Sequence, residues 1–202
     1  MAVTRGFVGR AHQHRDPRLP PGQYDVGAEW PVLTAEATPR RDPDSWTVTV
    51  NGLVTNSHTW TWADLHALPA SEYQGDIHCV TTWSKLGTRF GGVSLDLLLA
   101  AVEPLPAAAF VLARSVTGYT TNLPLSELSN GQAWLVWTHE GRPLSREHGG
   151  PLRLLVPHLY FWKSAKWISE LTLLDHDEQG FWERNGYHDL GDPWREQRYQ
   201  GD

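Results

Sequence analysis

The chain holds a single cysteine, Cys79, in the run Asp76-Ile77-His78-Cys79-Val80-Thr81-Thr82-Trp83-Ser84-Lys85, so no internal disulfide is open to it. Two readings of that thiol stand side by side. Free cysteine is among the most buried residue types and packs as a small hydrophobe. As a thiolate it is instead a soft-metal ligand or a nucleophile. The preceding histidine, the threonine pair, the tryptophan and the lysine are polar and aromatic company suited to a pocket floor. A nucleophilic role in hydrolysis or acyl transfer would require a histidine such as His78, His148 or His158 to touch the sulfur.

The second dense segment runs from His148-Gly149-Gly150-Pro151 through Arg153 to Lys163-Ser164-Ala165-Lys166. A Gly-Gly-Pro turn lets backbone approach a ligand closely and delivers Arg153 on an otherwise apolar strand. A guanidinium fork together with lysine point charges is one way proteins hold phosphate. The competing reading pairs Arg153 with one of the 23 acidic residues and leaves the lysines solvated. A thiolate that takes a soft metal, joined to an anion cradle, describes a site for a cofactor with a metal end and a phosphate end. Ten histidines invite zinc, but none falls in HExxH or in a short paired spacing with cysteine. His78 and His158 stand singly beside apolar residues and are expected to be satisfied by backbone hydrogen bonds.

These residues must be positioned by a strand-dominated mixture of elements. Trp46 to Val50 alternates large residues with threonine at period two, and Asn51-Gly52 predicts a tight turn after it. Thr61 with Asp64 has the pattern of a capping box opening a short helix that Pro69 stops. Ser94 caps a second helix in which Leu95, Leu98, Leu99 and Val102 return at helical spacing before Pro104. Strands are expected at Phe110 to Ala113, Ala133 to Trp137, Leu152 to Val156 and Trp167 to Leu174. The fold class that follows is mixed, strand-rich α+β. Strands and helices do not alternate as a doubly wound sheet requires, and no GxGxxG, Walker or GxSxG sequence occurs.

At 202 residues the chain suits one domain, here residues 21–202 after a loose N-terminal arm at 1–20. The 11 tryptophans are many for this length and suit large flat side chains closing a cleft. A net charge of −6 provides no global basic field, which argues against nucleic acid as a partner. The longest apolar stretch, Leu97 to Val102, is far short of the roughly 20 residues that span a bilayer. With no transmembrane segment and no leader-like apolar run near the start, the expected location is cytoplasmic.

Several motifs in one order resemble the molybdopterin-binding domain of the sulfite oxidase family, especially its short, single-domain bacterial members. They are His-Cys-Val-x-x-Trp-Ser around Cys79, His148-Gly-Gly-Pro-x-Arg153-Leu-x-Val-Pro, Phe161-Trp-Lys-Ser-Ala-Lys166, and the tail Gly191-Asp192-Pro193-Trp194-Arg195. The likeness runs from about Pro20 to Tyr199. It implies the mixed α+β sulfite oxidase fold and a mononucleotide-free molybdopterin carrying molybdenum. It further implies oxygen-atom transfer at a cysteine-ligated Mo-oxo centre, on a small oxyanion or an S- or N-oxide.

By the same resemblance, the molybdenum-ligating and catalytic cysteine falls on Cys79. The cofactor contacts fall on His148 and Arg153, on the turn Ser164, Ala165 and Lys166, and on the hydroxyl of Ser115 after a central strand. The animal and plant sulfite oxidases carry an arginine pair shortly after the cysteine. Here Trp83, Ser84 and Lys85 follow instead, which disfavours sulfite as the substrate; Lys85 and Arg89 either face the pocket or are solvated. Neither a haem domain nor the family's C-terminal dimerisation domain is expected in this chain, so a separate electron donor or acceptor is required. The remaining alternatives are the cysteine-histidine hydrolase or acyl transferase and a non-catalytic molybdopterin carrier.

Overall fold

The computed structural model describes residues 16–202. The first fifteen positions of the expected N-terminal arm lie outside the described residues. Its last five form a turn in which Arg18 pairs with Asp16 at 2.7 Å and Pro20 is buried.

Eleven strands and three short helices follow among the described residues, in the order β1 (Tyr24–Asp25), β2 (Thr47–Gly52), β3 (His58–Thr61), α1 (Trp62–Ala67), β4 (Ser71–His78), β5 (Trp83–Ser94), α2 (Leu95–Val102), β6 (Phe110–Ser115), β7 (Thr120–Pro124), β8 (Trp134–His139), β9 (Arg142–Pro143), β10 (Arg153–Leu155), β11 (Ile168–Leu174) and α3 (Phe181–Arg184). Both expected helices form with their expected caps. The Thr61 side chain accepts from the Asp64 amide while the Asp64 carboxylate accepts from the Thr61 amide, and the Ser94 hydroxyl accepts from Asp96. The four apolar residues of α2 that recur at helical spacing are all buried.

In β2 the alternation also holds, with Val48 and Val50 wholly buried. The tight turn at Asn51-Gly52 does not form. Both residues stay in the strand, paired with Thr172 and Leu173 of β11, and the Asn51 side-chain nitrogen donates to the Glu170 carboxylate at 2.8 Å. Gly52 serves close approach: at φ +85° a Cβ there would lie 2.2 Å from the Leu173 carbonyl oxygen.

The strands make two sheets. The first has the order β3-β2-β11-β6-β7, antiparallel except where β2 meets β11. In the second, β5 carries β4 along one edge; β1 and β8 divide the other, and β8 also pairs β9 and β10. The sheets are stitched where the Leu154 amide donates to the Ala165 carbonyl at 2.9 Å and that of Ile168 to Leu152 at 3.2 Å. A large core that includes Trp46, Leu98 and Trp167 draws residues from both sheets, and a smaller cluster gathers Ile77, Cys79, Trp83, Phe90 and Phe161. No helix among the described residues is long and apolar enough to cross a membrane.

Candidate functional site

Cys79 sits in the turn that joins β4 to β5, two long antiparallel strands that fix both of its ends. Its amide donates to the Trp83 carbonyl at 2.8 Å and its carbonyl accepts from Thr82 at 3.0 Å, with Thr82 itself at φ +75°. Distant segments clamp the turn from outside: Gln23 donates to the Cys79 carbonyl at 3.0 Å and Arg198 to the Val80 carbonyl at 2.6 Å. The sulfur lies 3.2 Å from the Thr81 hydroxyl. Burial pushes the thiol pKa up, and the Thr81 hydrogen bonds oppose that shift.

The thiol opens on a cavity of about 330 Å³ that Arg153 also lines. Arg153 is 1 % exposed. Its guanidinium donates to the carbonyls of His148 and Ser164, both at 2.7 Å, and lies 4.1 Å above the Phe161 ring. No carboxylate pairs with it among the described residues, so the structural ion-pair reading of this arginine fails. Desolvation lowers its pKa to about 9. A buried cation without a counter-charge is costly unless a partner arrives. Beside it Lys166 donates only to carbonyls, of Leu33 at 2.7 Å and Glu147 at 2.6 Å, and burial followed by Arg153 lowers its pKa to about 8.

His148, Ser164 and Ala165 complete this end of the cavity. The His148 ring stacks on Trp30 with centroids 3.8 Å apart, and burial lowers its pKa. Six of the seven site residues read from the sequence are thus brought to one cavity. Ser115 is not: it ends β6 outside the lining, where its hydroxyl donates to the Lys166 carbonyl at 2.5 Å. Nor does Lys163 belong to the cation cradle. It is wholly buried against Glu183 at 2.7 Å, and the same carboxylate oxygen accepts from Thr121 and from the Trp162 indole, both at 2.9 Å. The Gly-Gly-Pro turn gives its close approach to the protein itself. A Cβ on Gly149 would stand 3.1 Å from the Cβ atoms of both Arg153 and Lys166.

Sequence reasoning named no site residue in the segment of Trp30, Pro31, Leu33, Thr34, Ala35 and Glu36, nor Tyr119, Trp182 and Tyr187, all of which line the cavity. Glu36 accepts from the Thr117 hydroxyl and from the Tyr119 amide, which ties that segment to the connection between β6 and β7. The abundance of tryptophan was the available signal, since Trp30, Trp83, Trp162 and Trp182 are all in the wall. Lys85 is spent elsewhere, on the carbonyls of Gly27 at 2.9 Å and Glu29 at 3.3 Å, and Arg89 is exposed.

Among the described residues no imidazole hydrogen-bonds the thiol. His78 bonds the Ser84 hydroxyl at 2.8 Å and His158 the Glu127 carboxylate at 2.7 Å, side-chain partners where backbone ones were expected. The His148 nitrogens contact Ser145 and the Trp30 carbonyl. Among the described residues no cluster of three His, Cys, Asp or Glu side chains is arranged to hold a metal ion. The donor set fits a different group: one that brings most of its own metal ligands, takes one sulfur from the protein, and carries an anion to the guanidinium.

Comparison with known proteins agrees with that chemistry. The family described as oxidoreductase molybdopterin-binding domain matches residues 35–182. An uncharacterised oxidoreductase, YuiH, of Bacillus subtilis is 40 % identical over 97 % of this chain and its own full length. The sulfite oxidase of Arabidopsis thaliana is 26 % identical over 71 % of the chain, which spans 45 % of that protein. The fold matches the sulfane dehydrogenase SoxCD of Paracoccus pantotrophus with a TM-score of 0.63 at 21 % identity, over 69 % of this chain and 41 % of the other.

Proposed function

The chain belongs to the oxidoreductase molybdopterin-binding domain family, and from that premise we propose that it performs oxygen-atom transfer on a small substrate, with Cys79 as the protein ligand to molybdenum. The observation that carries the reading is the meeting, in one cavity, of the only thiol of the chain with a buried guanidinium that has no counter-charge among the described residues. When bound, the cofactor supplies a two-electron metal centre that can accept or give an oxygen atom.

The residues of the chain do the rest. The β4–β5 turn holds the sulfur at a fixed point and in hydrogen-bond reach of the Thr81 hydroxyl. Arg153 and Lys166, both lining the cavity, would hold the anionic end of the cofactor through charge-assisted contacts strengthened by burial. Trp30, stacked on His148, shields that end from water. The aromatic wall of Trp162, Trp182 and Tyr187 bounds the remaining space, where the substrate enters. Trp83, Ser84 and Lys85 follow the cysteine in place of an arginine pair, and Arg198, which clamps the turn from outside through the Val80 carbonyl, is not in the cavity lining; both favour an S- or N-oxide over sulfite. Electrons come from or go to a separate protein or small carrier.

The test is elemental analysis of protein made in a host that synthesises molybdopterin. Molybdenum near one atom per chain is expected, falling to background in Cys79→Ser. A chain that carries no molybdenum under those conditions overturns the reading, and a loaded chain without accessible Mo(VI)/Mo(IV) cycling is a carrier instead.

A further inference from the structure

A second cavity, of about 300 Å³, lies outside the site described above. Its walls come from the connection before β2, from α1, from β8 and from the loop that runs from Leu144 to Pro151. The same loop borders the first cavity through His148, so the two spaces share a wall. Gly150 and Pro151 of the Gly-Gly-Pro turn line this second space and not the first.

The lining is aromatic. Trp46 is 1 % exposed, and its indole donates to the Ile168 carbonyl at 2.8 Å. Trp62 and Trp137 are half-buried, and the centroid of the His66 ring lies 4.3 Å from each of theirs, stacked on Trp137 at an interplanar angle of 29°. The His66 Nδ1 donates to the Trp62 carbonyl at 2.9 Å, which fixes the ring and leaves Nε2 without a partner among the described residues. Neither the Trp62 nor the Trp137 indole N–H has a partner there either.

Two cations complete the cavity. The Arg41 guanidinium stands over the Trp46 ring at 5.6 Å, and Arg146 belongs to the shared loop, where its carbonyl accepts from the Trp167 indole at 2.9 Å. Both guanidinia are exposed, and neither meets a carboxylate among the described residues. Acids do occur on the same segments, but Asp42, Asp44, Asp64 and Glu147 are all absent from the lining, and Asp42 and Asp64 are engaged as helix caps. In a chain of net charge −6 the cavity is a local reversal of sign. A space of this size takes a small ligand rather than a polymer. Indole faces stack on flat rings, and guanidinium forks take phosphate oxygens. Two unpaired guanidinia match a doubly charged phosphate monoester better than a singly charged carboxylate.

We propose that this cavity is a second ligand site, for a molecule the size of a mononucleotide: its flat ring lies against Trp62 and Trp137, and its phosphate is held by Arg41 and Arg146. The site is separate from the cofactor cavity, and the inference does not rest on the redox reaction proposed there.

The test is fluorine NMR on the full chain with 5-fluorotryptophan at position 137 alone, titrated with adenosine 5′-monophosphate, so that the reporter reads this cavity and not the first. The resonance is expected to move saturably. Its dissociation constant should weaken about tenfold in Arg146→Gln and in Arg41→Gln, each the loss of one charge-assisted contact. Both variants should unfold like wild type, because the two side chains are exposed and unpaired. Adenosine and inorganic phosphate, each with one half of the recognised chemistry, should bind at least tenfold more weakly than the whole molecule. A resonance that stays still overturns the inference, as does equal affinity in both arginine variants. Adenosine that binds as tightly as its monophosphate removes the cations from the site, and phosphate that does so removes the aromatic wall; either result also overturns it. A chain that never loads molybdenum refutes the proposed function but leaves every arm of this titration measurable.

Discussion

Arg153→Met separates the two roles that a buried guanidinium can have. Methionine retains much of the side-chain length and lies comfortably against Phe161, so the substitution tests charge more than shape. Lowering of the arginine pKa from 12.5 to about 9 means that burial of the charge costs the cofactor-free protein about 5 kcal/mol, at about 1.4 kcal/mol for each tenfold in proton affinity. Against that stand the two hydrogen bonds to the His148 and Ser164 carbonyls, at about 1.5–3 kcal/mol each for a charged donor, or about 3–6 kcal/mol together. The two sides nearly cancel. Urea unfolding of the cofactor-free variant is therefore expected to fall within about 2 kcal/mol of wild type. Retention of the cofactor should behave differently, because the anion contact is lost with nothing gained in return. About 1.5–3 kcal/mol corresponds to a roughly 10- to 150-fold weaker hold, read as molybdenum per chain after dialysis. A variant that retains molybdenum like wild type would refute the anion role, and one that unfolds far more easily without cofactor would make Arg153 a structural residue.

Cys79→Ser should fold with a thermal midpoint close to wild type, since the side chain is nearly isosteric, yet lose redox activity because a hydroxyl is a poor ligand for a soft metal; full activity would contradict the ligand role. Lys166 has its folded pKa lowered to about 8 from 10.5 by desolvation, so the unfolded chain binds the extra proton between those values and stability of the cofactor-free protein should rise as pH climbs from about 8 to 10.5. That contribution should vanish in Lys166→Gln when the two unfolding profiles are subtracted, and a difference that runs the other way would refute the desolvation argument. Glu183→Gln leaves the Lys163 ammonium buried without its counter-charge and should cost about 3–5 kcal/mol in chemical unfolding, with loosening of the Trp162 wall. Gly52→Ala forces a Cβ to 2.2 Å from the Leu173 oxygen at a left-handed φ and should destabilise by more than about 2 kcal/mol; a neutral effect would mean that β2 and β11 can part at no cost.

The parts of the fold that local physics decides were readable before the coordinates. Both capped helices, β2 and four further strands announced themselves because their apolar residues recur at the period of the element that buries them. The longest strand, β5, escaped. Its interior carries Gly87, Gly91 and Gly92 together with Lys85 and Arg89, and it is held by neighbours on both edges rather than by propensity. Asn51-Gly52 misled for the reverse reason. The dipeptide has turn chemistry, but pairing with β11 overrode it. In the site, Cys79, His148, Arg153, Ser164, Ala165 and Lys166 were named from family motifs, and they do share a cavity. Composition alone could not separate Lys163 from Lys166, two cations three positions apart. Which one meets a carboxylate depends on Glu183, a residue from a helix after the last strand.

The origin of each part of the site explains why loading and stability should be coupled. The thiol turn belongs to β4 and β5, and Arg153 to β10 of the same sheet, whereas Ser164 to Lys166 lead into β11 of the other sheet. A molecule that binds both the sulfur and the cations thus spans the seam, where only a few backbone hydrogen bonds join the sheets. Without it, the seam holds an uncompensated guanidinium and a lysine whose proton is loosened. Anything that binds the folded chain alone stabilises it by mass action, and here an anionic ligand also supplies the counter-charge that Arg153 lacks among the described residues. The midpoint of thermal unfolding should therefore rise on loading, and most of that rise should disappear in Arg153→Met. A rise of equal size in the variant would place the coupling at the Cys79 end alone.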